Sequence, residues 1–395
     1  MEDCTLNLEI WPSLQHIAFD DWESLAGGDV KSSYGWLKTV EETHSRDAAT
    51  AYYLVKANGM PLGAAVSYFI RNPRKDHNLN DIFFGRMRPW AQRLGFSFIP
   101  ALECYPFRAY GQHFFLATHL DLPTRREVMK TLLDGVEAEA RRHKASPCFL
   151  HVLTSESELW QLLSQRGYRK TLDYPLAYLD IEWSDFKGYK NYIKNRSRNM
   201  VRNIAKEIKR NRRQKVSIEN LVTVEDEGDR LWDLLNLNYQ KYNPGEFPFK
   251  RNFFQRLKAN LGDEAVVSVA RKNDCLTGVS LTLKRGAVGY TPMVGVDHGL
   301  AGPDATYFML AFYHPVQIAI EQGLRRIYFG NAKYMAKQRR GCKISNCFIF
   351  YKSFKPVTNS LVGLWFEFHR RWYHRKHREY DIQPFSPPCR PDGSS

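Results

Sequence analysis

The amino-acid sequence predicts an α/β chain with mixed sheets, built from two halves that repeat one order of elements. The reading rests on three features. Strand-like apolar runs alternate with stretches of helical period along most of the chain. A hairpin pattern recurs, with Leu54 opposite Val269, Asn58 opposite Asn273 and Gly63 opposite Gly278. In each half the hairpin is followed by a long helix, a strand, a short helix, a glycine and a second strand, which is a repeat at the level of a domain.

In the first half, Trp36 to Val40 reads as helix and Tyr52 to Val55 as a β-rich run. Asn58-Gly59 is a hairpin turn, because both residues tolerate positive φ, and Leu62 to Ile70 supplies the return strand. A helix is expected from about Thr124 to His143, where Val128, Leu132, Leu133, Val136 and Ala140 recur at helical spacing. The strand Cys148 to Leu153, the short helix Glu156 to Gln165 with Gly167 after it, and the strand Tyr174 to Ile181 complete this half. The second half runs through Val266 to Ala270, the turn Asn273-Asp274 and Leu276 to Leu283. A helix from about Ala305 to Gln322, the strand Arg326 to Phe329, a short segment to Gly341 and a final strand Cys347 to Tyr351 follow. The expected division is an N-terminal domain over 1–180, a C-terminal domain over 181–355 that opens on a basic helix, and a basic helical extension and disordered tail over 356–395.

Hydrophobic residues make up 43% of the 395 and aromatics 14%, enough for sizeable cores and too much for wholesale disorder. The net charge of +15 calls for an anionic partner. Seven cysteines with no C-x-x-C spacing read as free thiols in a reducing, cytoplasmic compartment rather than as a disulfide framework or a zinc site. No basic region followed by an apolar run opens the chain, and no stretch approaches the ~18 apolar residues of a membrane helix. No bound cofactor or metal is expected; His369, His374 and His377 fall at helical spacing without a carboxylate or thiolate partner.

From Lys187 to Lys215 there are 12 Lys and Arg residues and a single acid, Glu207. Tyr189, Ile193, Met200, Ile204 and Ile208 form an apolar stripe, so the segment reads as an amphipathic helix with Ser184 or Asp185 as its cap. Its cationic face, with Lys194, Arg196, Arg198, Arg202, Lys206 and Arg210, suits a phosphate backbone. The stretch Trp365 to Arg378 adds Arg371 and Arg375 among aromatics, a mixture suited to RNA ends or single strands, because rings stack on bases while cations hold phosphates. A peripheral membrane helix fits the same composition.

The chemistry is expected around two loops of the second half. Gly295 to Asp304 joins a strand to a helix, and Gly299 and Gly302 permit close backbone approach to a ligand there. Asp297 and Asp304 are the carboxylates placed to hold or deprotonate an amine, with Tyr290 on the strand before them as a pocket wall. The aromatic- and glycine-rich stretch Glu103 to Gly111 is a candidate cleft wall between the halves.

The second loop is Tyr328-Phe329-Gly330-Asn331-Ala332-Lys333-Tyr334-Met335-Ala336-Lys337-Gln338-Arg339-Arg340-Gly341. It resembles the D-F-G-x-G-x-x-x-Y-K-x-x-x-G pattern of Fem-like proteins of the GNAT superfamily, with Tyr328, Ala332 and Ala336 departing from it. Tyr189, Ile193 and Arg198 are similar to the basic entry of that family's second domain. The resemblance covers roughly residues 180–352 and implies two tandem GNAT-like domains. It implies an N-acyltransferase in which Lys337 contacts the oxyanion or a donor phosphate and Gly330 and Asn331 line the substrate site.

His298 to Gly302 does not satisfy the acetyl-CoA pyrophosphate pattern, which suits the Fem-type donor, aminoacyl-tRNA. The expected acceptor is an amine of a peptidoglycan precursor or a small metabolite. An acyl-CoA- or acyl-carrier-dependent N-acyltransferase is the alternative on the same fold. A non-catalytic binder of nucleic acid or glycan is a third.

Overall fold

The structure, a computed structural model, describes residues 5–44, 48–71, 79–243, 245–376 and 380–385. Two eight-stranded mixed sheets make up the molecule.

The first half contributes β1 (Asn7–Trp11), β2 (Ala48–Ala57), β3 (Met60–Ile70), β4 (Ala101–Cys104), β5 (Phe114–Leu116), β6 (Ser146–Val152), β7 (Arg169–Leu172) and β8 (Leu176–Asp180). Its helices are α1 (Phe19–Ala26), α2 (Tyr34–Thr43), α3 (Leu79–Phe84), α4 (Arg88–Arg93), α5 (Leu122–Arg142) and α6 (Ser157–Gln165). The second half adds α7 (Phe186–Arg196), α8 (Arg198–Arg213), β9 (Val216–Leu221), α9 (Gly228–Gln240) and α10 (Phe253–Leu261). Then come β10 (Ala265–Lys272), β11 (Cys275–Arg285), β12 (Val288–Val296), a helical run over 306–321, β13 (Arg326–Gly330), a short helix Tyr334–Arg339, β14 (Lys343–Ser345) and β15 (Phe348–Tyr351). The helix Pro356–Lys376 and β16 (Ile382–Gln383) close the described chain.

The repeat seen in the sequence is present in detail. In β2–β3, Ala57 pairs with Met60 across the turn and the register slips between Val55 and Lys56. In β10–β11, Lys272 pairs with Cys275 and the slip falls between Ala270 and Arg271, the matching place. All four turn residues, Asn58, Gly59, Asn273 and Asp274, have positive φ. The paired glycines do the same job. A Cβ on Gly63 would lie 2.4 Å from Val128 of α5, and one on Gly278 2.5 Å from Leu310 of the 306–321 run. Each glycine lets a long helix press onto its hairpin.

Three expectations are corrected. The strand read as closing the first half, β8, pairs with β13 and β14 of the other sheet. The strand read as closing the second half, β15, sits between β6 and β7 of the first sheet. The halves therefore exchange a strand, and β7, which was not anticipated, fills the place expected of β8. The single basic helix is two helices. Ser197 is extended at φ −159°, ψ 106°, and its hydroxyl accepts from Met200 N at 3.2 Å as the cap of α8. Asp185 caps α7 through Gly188 N.

Three cores result. α5 and α6 cover the first sheet through Val128, Leu132, Val136 and Leu163. α7, α8 and the 306–321 run cover the second through Ile193, Ile204, Tyr313 and Val316. A third core joins the halves, with Trp22, Trp36 and Tyr52 from one side packed in a cluster with Phe253, Leu257 and Val267 from the other. α2 and α10 approach so closely that a Cβ on Gly35 would lie 2.4 Å from Asn260 O.

Candidate active site

β12 and β13 are parallel and pair only at Val288–Arg326, Gly289–Ile327 and Tyr290–Tyr328, after which they part. Pro292 brings no N–H to the ladder, and the β11–β12 register slips at the same level. Thr291, Pro292, Phe329, Gly330 and Asn331, the residues just past the split, line a cavity of about 310 Å³. Its other walls come from the first half: Lys31 after α1, Tyr105 to Tyr110 after β4, His151 on β6 and Tyr174 between β7 and β8.

Lys31 is 1% exposed. Its Nζ donates to Arg108 O at 3.3 Å and lies 4.7 Å from the Trp36 ring centre and 5.3 Å from that of Tyr290. Burial and the Arg108 charge push its ammonium down to about 7, against the pull of Asp29. Burial likewise raises the Asp29 carboxyl, opposed by hydrogen bonds from Tyr290 Oη and Lys31 N. Tyr290 stacks on Tyr328 at 4.9 Å, so the cavity floor is an aromatic pair tied to a carboxylate.

His151 Nδ1 lies 2.6 Å from Asp173 Oδ2, an ion-pair distance whose angle falls short of a straight hydrogen bond. Asp173 is 1% exposed and is fixed by the backbone N–H groups of His151 and Tyr174, at 3.1 and 2.7 Å. A buried carboxylate against one ring nitrogen orients the imidazole and leaves the other nitrogen for a substrate proton. His151 and Arg108 both hold positive φ, at 59° and 58°, and strained residues held by surrounding structure cluster at functional sites.

The sequence-expected residues divide into two groups. Tyr290, Gly330 and Asn331 line the cavity. Lys337 lies beneath it: Nζ donates to the carbonyls of Phe329, Gly330 and Asn331 at 2.7, 3.1 and 3.1 Å. Burial pushes that ammonium down to about 8. Its geometry is that of a clamp on the turn that carries Gly330 and Asn331. Asp297, Gly299, Gly302 and Asp304 do not line the cavity. Asp297 caps one helical turn through Gly299 N and Leu300 N and pairs with Arg230 at 3.0 Å. Gly302 ends that turn at φ 68°. Asp304 is buried and accepts from Thr306 N at 2.9 Å, while Oδ2 has no partner among the described residues.

Lys31, His151 and Asp173 escaped the sequence reading, because nothing in their local pattern sets them apart. The stretch from Glu103 to Gly111 did carry a signal, and Tyr105, Phe107, Arg108 and Tyr110 from it line the cavity. Cys104 in that stretch is fully buried and its thiol is pushed up, so it is no nucleophile.

Lys194, Arg196, Arg198, Arg202, Lys206 and Arg210 are exposed along α7 and α8, and none is ion-paired among the described residues. Beside them a depression of about 440 Å³ opens between Met200 and Asn203 of α8 and the segment Lys333 to Arg340, two residues on from Asn331 of the cavity. Arg371 pairs with Glu367 at 3.1 Å and Arg375 is exposed. His369 is buried against Thr171 Oγ1 and Ile82 O, at 2.9 and 3.2 Å. The side chain of His374, along with His377 and residues 386–395 of the expected tail, lies outside the described residues, whereas Ile382 and Gln383, expected to be disordered, form β16 on β14.

A family model for FemAB-like proteins, described as peptidoglycan biosynthesis and recognition, matches residues 13–386. Among solved structures the chain is similar to FemX, at 12% identity over 88% of this chain and 98% of that one, with a TM-score of 0.55. It is also similar to the C-terminal domain of a putative lysylphosphatidylglycerol synthetase from Agrobacterium fabrum, at 12% identity over 88% and 96% of the two chains, with a TM-score of 0.54. A conserved protein of unknown function from Bacteroides thetaiotaomicron matches at 11% identity over 85% and 98%, with a TM-score of 0.53. At these identities the likeness is one of fold. No curated protein matches the chain by sequence.

Proposed function

As the chain belongs to the FemAB-like family of peptidoglycan biosynthesis and recognition, and is an acyltransferase of tandem GNAT-like fold, we propose that it transfers an aminoacyl group from tRNA to an amine of a peptidoglycan precursor or small metabolite in the cytoplasm. One observation carries this reading. A cavity holding a buried cation and a carboxylate-held histidine lies two residues along the chain from a depression on a helix pair whose exposed cations have no ion-pair partner among the described residues. An acyl donor bearing many phosphates needs that cationic surface; a small thioester does not.

In the proposed reaction the acceptor amine attacks the ester carbonyl, a C–N bond forms and the C–O bond to the tRNA hydroxyl breaks. His151 accepts the amine proton and returns it to the departing oxygen, with Asp173 holding the ring. Lys31, with a single carbonyl acceptor among the described residues, has protons free for an anionic group of the acceptor. Lys337 positions Gly330 and Asn331 against the substrate from below. No step calls for a metal or a bound cofactor.

The test is binding of bulk tRNA and of CoA thioesters under a salt titration. The reading predicts saturable tRNA binding that weakens steeply with salt, and no saturable CoA binding. Replacing Arg202, Lys206 and Arg210 together by Glu should flatten the log–log salt slope by roughly 2 to 3, about 0.7–0.9 per lost phosphate contact. Saturable CoA binding with salt-insensitive, weak tRNA association contradicts it.

A further inference from the structure

A second concave surface lies away from the chemistry, between the α4 region and the C-terminal helix Pro356–Lys376. The groove measures about 510 Å³. Trp90, Leu94 and Phe96 form one wall and Leu361, Leu364 and Phe368 the other. Each of these six is more than half exposed, Leu94 and Leu364 reaching 71% and 72%. Beneath them the floor is fixed: Phe83 meets Phe98 at 4.4 Å and Phe366 at 4.8 Å, and Phe98 stacks on Phe366 at 5.7 Å. A contiguous aromatic and aliphatic patch on a rigid base marks an interaction surface, since scattered exposed apolar residues would need no explanation.

The rim identifies the partner. Arg93 lies 5.6 Å from the Trp90 ring centre. Arg169 and Lys170 border Leu364 in an adjoining depression. Burial first, and then the neighbouring Arg370 charge, disfavour the Lys170 ammonium. The acids nearby are already engaged: Glu367 by Arg370 and Arg371, and Asp81 by Arg88 at 2.7 Å. An apolar center with indole rings and an excess of cations around it complements the boundary of an anionic bilayer, where hydrocarbon lies under a layer of phosphate. Among the described residues no helix is long and apolar enough to cross a membrane.

We propose that this face seats on a bilayer containing anionic phospholipid, with the six apolar side chains at the headgroup–acyl boundary and the arginine and lysine rim on lipid phosphates. The proposal does not depend on the acyl-transfer reading.

The experiment is sedimentation of the full chain with vesicles of equal parts phosphatidylglycerol and phosphatidylcholine, against phosphatidylcholine alone, with tryptophan emission recorded. The expected result is partition into the anionic vesicles with a blue shift. Leu94→Glu with Leu364→Glu should lower partition at least about tenfold while the circular-dichroism melt stays unchanged, because both side chains are exposed. Arg93→Glu with Arg370→Glu should remove the preference for anionic lipid. No partition, or partition that the leucine variants leave unchanged, overturns the proposal. So does a wild-type dimer that the leucine variants dissociate without any vesicle binding, since the groove's occupant would then be a second copy.

Discussion

Lys31 is 1% exposed and has one backbone acceptor among the described residues, so a charge on it costs free energy unless an anion shares the cavity. Asp29, Arg108 and Tyr290 face it, and burial leads the effects that bring its ammonium down to about 7. A lysine so depressed is charged below that pH and neutral above it. Affinity for an anionic acceptor should therefore hold below pH 7 and fall as pH rises through it, approaching tenfold per unit. Measuring KM against pH checks this, and Lys31→Met, which keeps the stem's packing on Trp36, should weaken binding and flatten the profile. A second residue carries strain. Ala332 has φ 74°, and it stands where the Fem-like pattern has glycine. An L-residue there costs about 1–2 kcal/mol, partly offset by the greater freedom of glycine in the unfolded chain. Ala332→Gly should therefore stabilise the protein by roughly 0.5–1 kcal/mol in a denaturant titration. At this level legibility depended on locality. Gly63 and Gly278 were readable because hairpin and turn signals flank them. His151 and Asp173 were not, because 22 positions separate them and only the fold brings β6 against the β7–β8 link.

Helices and strands were mostly legible as elements, and less so as neighbours. The periodicity of α5 found its buried face, with Val128, Leu132 and Val136 inside. Apolar spacing continues across Ser197, so the break between α7 and α8 left no trace in the pattern, although a serine with an extended backbone makes a good cap. The strand exchange was hidden for a different reason. Alternation and β-propensity say that a segment pairs, and nothing about which sheet receives it. β15 lies between β6 and β7, so residues 1–180 alone would leave those two strands without the partner that joins them. The first 180 residues expressed alone should accordingly lack a cooperative thermal transition, while the full chain shows one calorimetric peak. Two resolved peaks, or a cooperatively folded fragment, would contradict this account of the exchange.

For the molecule as a whole, composition and repeat were enough to give the α/β class, the two similar halves and an excess of positive charge. They did not place the cavity, because it is made where β12 and β13 part and is closed by Lys31, Arg108, His151 and Tyr174 from the other half. The family-like motif around Lys337 pointed to a turn that lines the cavity, and that lysine holds the turn from below. The account of function stands on the cavity and the cationic helix pair acting together. The most direct measurement follows labelled amino acid from a pool of charged tRNA onto a peptidoglycan-precursor peptide, in wild type and in His151→Asn. The account predicts transfer to the precursor amine by wild type and a loss of about 10²–10⁴-fold in the rate of the variant with tRNA binding unchanged. Acylation of the same amine from a CoA thioester, with no transfer from any charged tRNA, would contradict it.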